Sequence, residues 1–171
     1  MIIGIACVDK NWAIGKKNKL LYHIKADMER FKDITNNGIV AMGYNTYLSL
    51  KRPHGLTNRT NIVLCNKNIK LPKDIIAIHS VDELLNYAVV CDIIHRELFI
   101  IGGGQLYKAM LPYYDALDIT MIYNKEDKDA DTFFPNLDKE NRYSIVLRSG
   151  KLKEDDYEFE FLTYTNKEIV E

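Results

Sequence analysis

The chain is poor in the features that mark special environments. Its 171 residues include three cysteines, an odd number with no Cys-x-x-Cys pair. Cys7 and Cys65 sit in apolar, strand-like runs, so reduced, buried thiols of a cytoplasmic protein are expected rather than disulfides. The four histidines, His23, His54, His79 and His95, are scattered without a His-x-x-x-His spacing. That pattern offers no zinc site, and no metal is expected. No apolar run reaches membrane-spanning length. The opening "MIIGIACVDK" has no basic leader and meets Asp9 after a short apolar run. It reads as a strand rather than a signal peptide. Charge of one sign is also lacking: the net charge is -1 with no block of like charge. A nucleic-acid protein would need a basic stripe. With 47% hydrophobic and 27% charged residues, the composition is that of a globular protein, and the length suits one domain over residues 1–171.

What is present is an alternation of short apolar runs and helical patterns. "MIIGIACV", "GIVAMG", "RTNIVLC", "IIAIH", "ELFIIGGG" and "DALDITMIY" read as strands. "KADMERFKDIT" reads as the first helix, ended by Asn37-Gly38. "YNTYLSL" and "QLYKAML" read as short helices, and Pro112 stops the second. Ser80 and Glu83 form a capping box for "VDELLNYAVV". Near the end, "RYSIVLRS" and "YEFEFLTYT" alternate polar and apolar residues, with "GKLKEDD" as their connection. The pattern predicts an α/β fold: a central, mostly parallel sheet of about eight strands with an antiparallel C-terminal edge hairpin, flanked by about four helices.

Two places stand out for chemistry, because ligands in such sheets collect at the carboxyl ends of the strands. "IVAMG-YNT" and "FIIGGG-QLY" are both strand, glycine, helix. Such turns let a backbone approach a ligand, and two of them suit the two ends of a pyrophosphate-containing cofactor. Neither is Gly-x-Gly-x-x-Gly or a Walker loop, and tight packing alone would also explain the glycines. The first helix raises a sharper question. Ile24, Met28 and Phe31 share one face, Lys25, Glu29, Arg30 and Lys32 point to water, and Asp27 falls on the apolar side. A carboxylate there complements the helix dipole, or is a desolvated acid with a raised pKa and a part in proton transfer. Arg52 and Arg59 flank the turn-rich "RPHGLTNRT", where one of them grips a ligand carboxylate or both are surface residues. The loop over residues 12–23, "WAIGKKNKLLYH", is apolar for an exposed segment. It reads as a lid, or as private packing of Trp12 and Leu20.

Along nearly its full length the chain resembles dihydrofolate reductase. The resemblance rests on "IACV…AIGKKNKL", "ADMERFK", "AMGYNTY", "RPHG…RTNIVL", "FIIGGGQLY", "LDITMI" and "DADTFFP" in that order. It implies NADPH-dependent reduction of 7,8-dihydrofolate to tetrahydrofolate, with hydride passing to pteridine C6 and a proton to N5. The cofactor would be NADPH, antifolate inhibitors would bind, and the enzyme would be a cytoplasmic monomer of one-carbon metabolism. The implied catalytic set is Asp27, Tyr22 and Leu20. The implied substrate pocket is Ile5, Ala6, Cys7, Asp27, Met28, Phe31, Leu50, Ile101 and Thr120, with Arg59 on the glutamate carboxylate of the folate tail. The implied cofactor contacts are Cys7, Ile14, Gly15, Leu20, Gly43, Tyr44, Asn45, Thr46, Cys65, Asn66, Lys67, Ile101, Gly103, Gly104, Gln105, Leu106 and Tyr107. Asp131 would steady the 12–23 loop.

The chain also departs from the family pattern. Where the family usually reads Leu-Pro-Trp-x-x-Pro-x-Asp, residues 20–27 are "LLYHIKAD". Leu21, Tyr22 and Lys25 thus replace two prolines and a tryptophan. Tyr44 and Gln105 stand where basic residues are frequent, and Lys67 is the substitute partner expected for the cofactor 2'-phosphate. The loop before Arg59 is about two residues longer than usual. Two other readings compete: a related reductase of riboflavin synthesis, and a non-enzymatic nucleotide-binding module. Neither gives a reason for an acid at position 27.

Overall fold

The computed structural model describes residues 1–169. In chain order the strands and helices are β1 (Ile2–Asp9), β2 (Ala13–Lys16), β3 (Lys19–Leu20), α1 (Lys25–Thr35), β4 (Ile39–Gly43), α2 (Tyr44–Ser49), β5 (Thr60–Leu64) and β6 (Ile75–Ile78). They continue with α3 (Val81–Ile93), β7 (Leu98–Ile100), α4 (Gly104–Met110), β8 (Ala116–Ile122), β9 (Thr132–Phe133), β10 (Tyr143–Arg148), β11 (Leu152–Glu154) and β12 (Tyr157–Asn166).

The main sheet runs β10-β12-β8-β1-β7-β4-β5-β6. From β8 to β6 every neighbouring pair is parallel, while β12 and β10 are antiparallel. Alternation explains the layering. In β4, Ile39 and Ala41 belong to one core cluster and Val40 and Met42 to another, and all four are buried. The first cluster includes Leu84, Ala88 and Cys91 of α3 and Leu106 and Met110 of α4. The second packs Phe31 and Ile34 of α1 and Tyr47 of α2. The sheet is therefore covered on both faces, as its nearly all-apolar central strands require.

Two expectations need correction. "GKLKEDD" is more than a connection, because its Leu152–Glu154 pairs with β12 as an extra edge strand, β11. The 12–23 loop is also partly ordered as sheet. β2 pairs β3 on one side and β9 on the other. Lys17 and Asn18 carry positive φ angles of 49° and 59° at its tip, the backbone of a two-residue hairpin turn that matches strand twist. Trp12 of this loop is packed away at 1% exposure, stacked on Phe134 and edge-on to Tyr164.

The turn-rich loop before Arg59 is held from inside. The buried Asn61 amide donates to the carbonyls of Leu56 and Arg59, each at 3.0 Å, and its oxygen accepts the Leu56 N–H at 2.8 Å. Gly55, at φ 67°, leaves room for that amide, since a Cβ there would sit 2.5 Å from it. Asn61→Ala strands one buried donor and two acceptors. The expected cost is about 2–4 kcal/mol, read as a lower urea midpoint at unchanged slope; a loss below about 0.5 kcal/mol, the range of ordinary surface changes, would show that water replaces the amide.

Candidate active site

A cleft of about 950 Å³ opens along the carboxyl ends of the parallel strands. Ala6 and Cys7 of β1, Gly43 at the end of β4, Leu64 of β5 and Cys65 after it, His79 after β6 and Ile101 after β7 all line it. The two glycine turns meet in its floor. Gly43 N–H donates to Gly102 O at 2.7 Å, and the Gly102–Gly103 peptide is cis. Gly102 has φ 125°, and a Cβ on Gly103 would lie 3.1 Å from Thr46 Oγ1. A side chain would be strained at Gly102 and tight at Gly103, both of which line the cleft. Tyr107 closes the floor, with its hydroxyl donating to Ile5 O at 2.5 Å and its ring 4.6 Å from Phe134.

Of the residues expected at the cofactor, Cys7, Ile14, Gly15, Leu20, Gly43, Tyr44, Asn45, Thr46, Cys65, Asn66, Ile101, Gly103, Gly104, Gln105, Leu106 and Tyr107 line this cleft, and Lys67 does not. Lys67 is exposed, next to the lining Asn66. Sequence reasoning missed His79 and Ser80, which also line it. The carboxyl-end rule applied to "IIAIHS" would have found them. His79 Nδ1 lies 2.9 Å from Cys65 O; a carbonyl only accepts, so that nitrogen carries the proton and Nε2 is left for other contacts. Asn18, Lys19 and residues 131–133 were missed as lining too, because the sequence does not show β2, β3 and β9 folding together. Asp131 is placed as expected: its carboxylate accepts Lys17 N–H at 2.8 Å.

Asp27 sits in the first turn of α1, beside the cleft. Thr120 Oγ1 of β8 donates to its Oδ1 at 2.6 Å. Burial is the main cause that pushes the Asp27 carboxyl above its ordinary value, and the charges of Asp118 and Glu154 act in the same direction. The Thr120 hydrogen bond and Arg30 pull the other way without reversing the shift. Cys7 joins this acid to the cleft. Its thiol pKa is raised, first by burial and then by Asp27 and Asp9, so it is an inert wall rather than a nucleophile.

The apolar walls follow from α1 and its neighbours. Ile5, Phe31, Leu50 and Ile101 pack against the same core cluster. Met28 corrects the sequence reading, being 47% exposed. Arg30 corrects it too: it is half-buried, ion-paired with Asp118 and stacked 4.8 Å over Phe161. The buried stripe is centred between Asp27 and Phe31, so Met28 falls on one margin and Arg30 on the other. At the far end of α1, Arg59 donates to Thr35 Oγ1 at 2.9 Å and lies 5.9 Å over the Phe31 ring. Burial, and after it repulsion from Arg52, lowers its pKa. Asp27 and Thr35 are eight residues apart, about 12 Å along a helix, so the acid and the guanidinium stand at opposite ends of α1.

Tyr22 replaces an expected tryptophan and finds its own partner. Its hydroxyl donates to Asp9 Oδ2 at 2.8 Å, and its ring stands edge-on to Tyr157. Asp9 is fully buried and also accepts the N–H groups of Asn11 and Ala13 at 2.9 and 3.0 Å. Leu20, on β3, is exposed at 57% and borders the cleft mouth. Among the described residues, no group of acidic, histidine and cysteine side chains is arranged to hold a metal ion.

Comparison with known proteins agrees with this geometry. The dihydrofolate reductase family model matches residues 1–166. A dihydrofolate reductase of Bacillus subtilis is 34% identical over 168 residues, 98% of this chain and 95% of that protein. One of Haemophilus influenzae is 35% identical over 164 residues, 95% of this chain and 97% of its own. The solved dihydrofolate reductase of Enterococcus faecalis, complexed with NADP(H) and RAB-propyl, superposes with a TM-score of 0.84 at 30% identity, covering 98% of this chain and 96% of that one. Strand order, glycine turns and inward acid thus converge with sequence kinship, and the chain belongs to the dihydrofolate reductase family.

Proposed function

We propose that the protein catalyses the NADPH-dependent reduction of 7,8-dihydrofolate to 5,6,7,8-tetrahydrofolate, as one domain over residues 1–171. The observation that carries this reading is the half-buried Asp27, held by Thr120 beside a cleft of about 950 Å³. The cofactor supplies the hydride that reaches C6 of the pterin. Asp27 binds the amide and amino edge of the pterin and favours protonation of N5, with water delivering the proton; Tyr22 orders that water. Thr120 fixes the Asp27 carboxylate. Ile5, Ala6, Phe31, Leu50 and Ile101 exclude water from the ring, with Met28 at the pocket margin. Arg59 clamps the tail carboxylate through its planar fork. Backbone N–H groups after Gly43 and Gly103, with Thr46, hold the cofactor phosphates. Ile14, Gly15 and Leu20 cover the nicotinamide from the β2–β3 hairpin. Antifolate inhibitors occupy the Asp27 pocket in competition with substrate. The working form is a cytoplasmic monomer; no helix among the described residues is long and apolar enough to cross a membrane.

Asp27→Asn should fold and lose about 10²-fold or more in turnover at neutral pH. The loss should shrink in acid, where solvent protonates N5. Because the folded-state pKa of Asp27 is raised, ionising it costs stability. That cost is absent below the unfolded pKa and complete above the folded one. The asparagine variant should therefore be at least as stable as the wild type at pH 7 in urea, and near wild-type turnover at pH 8 would remove Asp27 from the reaction.

Arg59→Leu should raise KM for dihydrofolate far more than for a pterin without the glutamate tail, by the equivalent of roughly 2–5 kcal/mol. Equal effects on both substrates would assign the tail to another cation, with Arg52 next to be tested.

The 2'-phosphate is met by no lining arginine among the described residues, since Tyr44 and Gln105 line the cleft where cations are common. NADPH should be preferred over NADH by a modest margin that falls as salt rises. Lys67→Ala should erode that preference and leave NADH kinetics almost unchanged. A loss equal on both cofactors would pass the role to His79, and kcat/KM for both cofactors at two ionic strengths decides between them.

A further inference from the structure

Helix α1 carries the acid on which the proposed chemistry rests, yet it begins at a residue that cannot cap it. Ile24 is the N-cap, buried at 1% exposure, and its side chain makes no capping bond. The first free N–H groups of a helix need acceptors. They find them 128 and 129 residues further along the chain. Lys25 N–H donates to one oxygen of the Glu154 carboxylate, and Ala26 N–H donates to the other at 3.0 Å. Glu154 closes the extra edge strand β11, where it is paired with Tyr157 of β12. Tyr157 in turn packs edge-on against Tyr22. The C-terminal hairpin is thus bolted to the turn that contains Asp27.

We propose that Glu154 is a positioning residue for Asp27: it caps α1 from the β11–β12 hairpin and holds the first helical turn so that the carboxylate at position 27 meets Thr120 and the pocket. The inference rests on the reading of Asp27 given above. It has an electrostatic consequence as well. Asp27 is faced by Arg30 from its own helix, by Asp118 and Thr120 from β8, by Cys7 from β1, by Tyr107 from α4 and by Glu154 from β11. Glu154 is one of the two negative charges that raise its pKa. Removing it moves the ionisation of Asp27 to lower pH, so the fall of turnover with rising pH starts earlier.

Two variants test this in the intact chain. Glu154→Gln keeps an acceptor oxygen and removes the charge. Its turnover profile should shift towards acid by about 0.3–0.5 pH unit, the effect of one like charge through partly solvated surroundings. Its Tm should fall by about 2–4 °C, as for a lost cap. Lys25→Pro removes one of the two N–H groups that Glu154 accepts. It fits the backbone, because Ile24 is already extended at φ -107° and ψ 124°, as a residue before proline must be, and proline is at home in the first helical position. In that background Glu154→Gln should cost less than half its Tm penalty. A wild-type pH profile without a limb that depends on Asp27 overturns the reading of Asp27 and this inference with it. With that limb present, an unshifted profile in Glu154→Gln, or an undiminished Tm penalty in the Lys25→Pro background, overturns the inference alone.

Discussion

A carboxylate partly withdrawn from water is the constraint around which this molecule is arranged. An ionised acid away from solvent costs several kcal/mol unless it is paired, and the protein gives Asp27 one short hydrogen bond, from Thr120. Every larger feature near it serves to keep it there. β8 brings Thr120 and Asp118 to the same side. Asp118 pairs with Arg30, one turn along α1, which offsets part of the local negative charge. Such an arrangement is poor as pure scaffold and makes sense when a hydrogen-bonding ligand completes it.

The cleft answers a second demand, that a long, charged cofactor lie against backbone rather than against side chains. Parallel strands place all their carboxyl ends on one edge, so β1, β4, β5, β6 and β7 each bring a lining residue, at the strand's end or just after it. The two glycine turns are hydrogen-bonded to each other, which makes one continuous surface from motifs about 60 residues apart in the chain. A Cβ on Gly103 would crowd Thr46 Oγ1 at 3.1 Å, so a side chain there would press into the turn that lines the cleft.

The sheet, the four helices and the inward acid were legible because they are written in local periodicity. Continuous apolar runs mark strands buried on both faces, and "KADMERFKDIT" has one greasy side. What escaped is written in distant partners. β2, β3 and β9 are four residues or fewer and exist through pairing across the chain. β11 is polar and exposed or partly so, without the alternation that betrays a strand. Arg30 reads as a surface residue until Asp118, 88 residues away, supplies its partner. Periodicity fixes which residues share a face but not where the centre of that face lies, and this is why Met28 is half out of the wall.

The same logic accounts for how the chain tolerates its departures from the family pattern in residues 20–27. A tryptophan carries a donor on a rigid ring system; Tyr22 carries one too, and the buried Asp9 receives it. A proline at the start of α1 would need no acceptor for a backbone N–H, whereas Lys25 presents one, and Glu154 receives it. In both places a residue that limited the local chain is exchanged for one that exposes a polar group, and a carboxylate from elsewhere satisfies that group. Rigidity is moved from covalent geometry into hydrogen bonds between elements distant in sequence. Such bonds open more readily than a pyrrolidine ring bends. The consequence is a segment held at Tyr22 by Asp9 and at Lys25 by Glu154, where the fixed φ of proline would otherwise hold it.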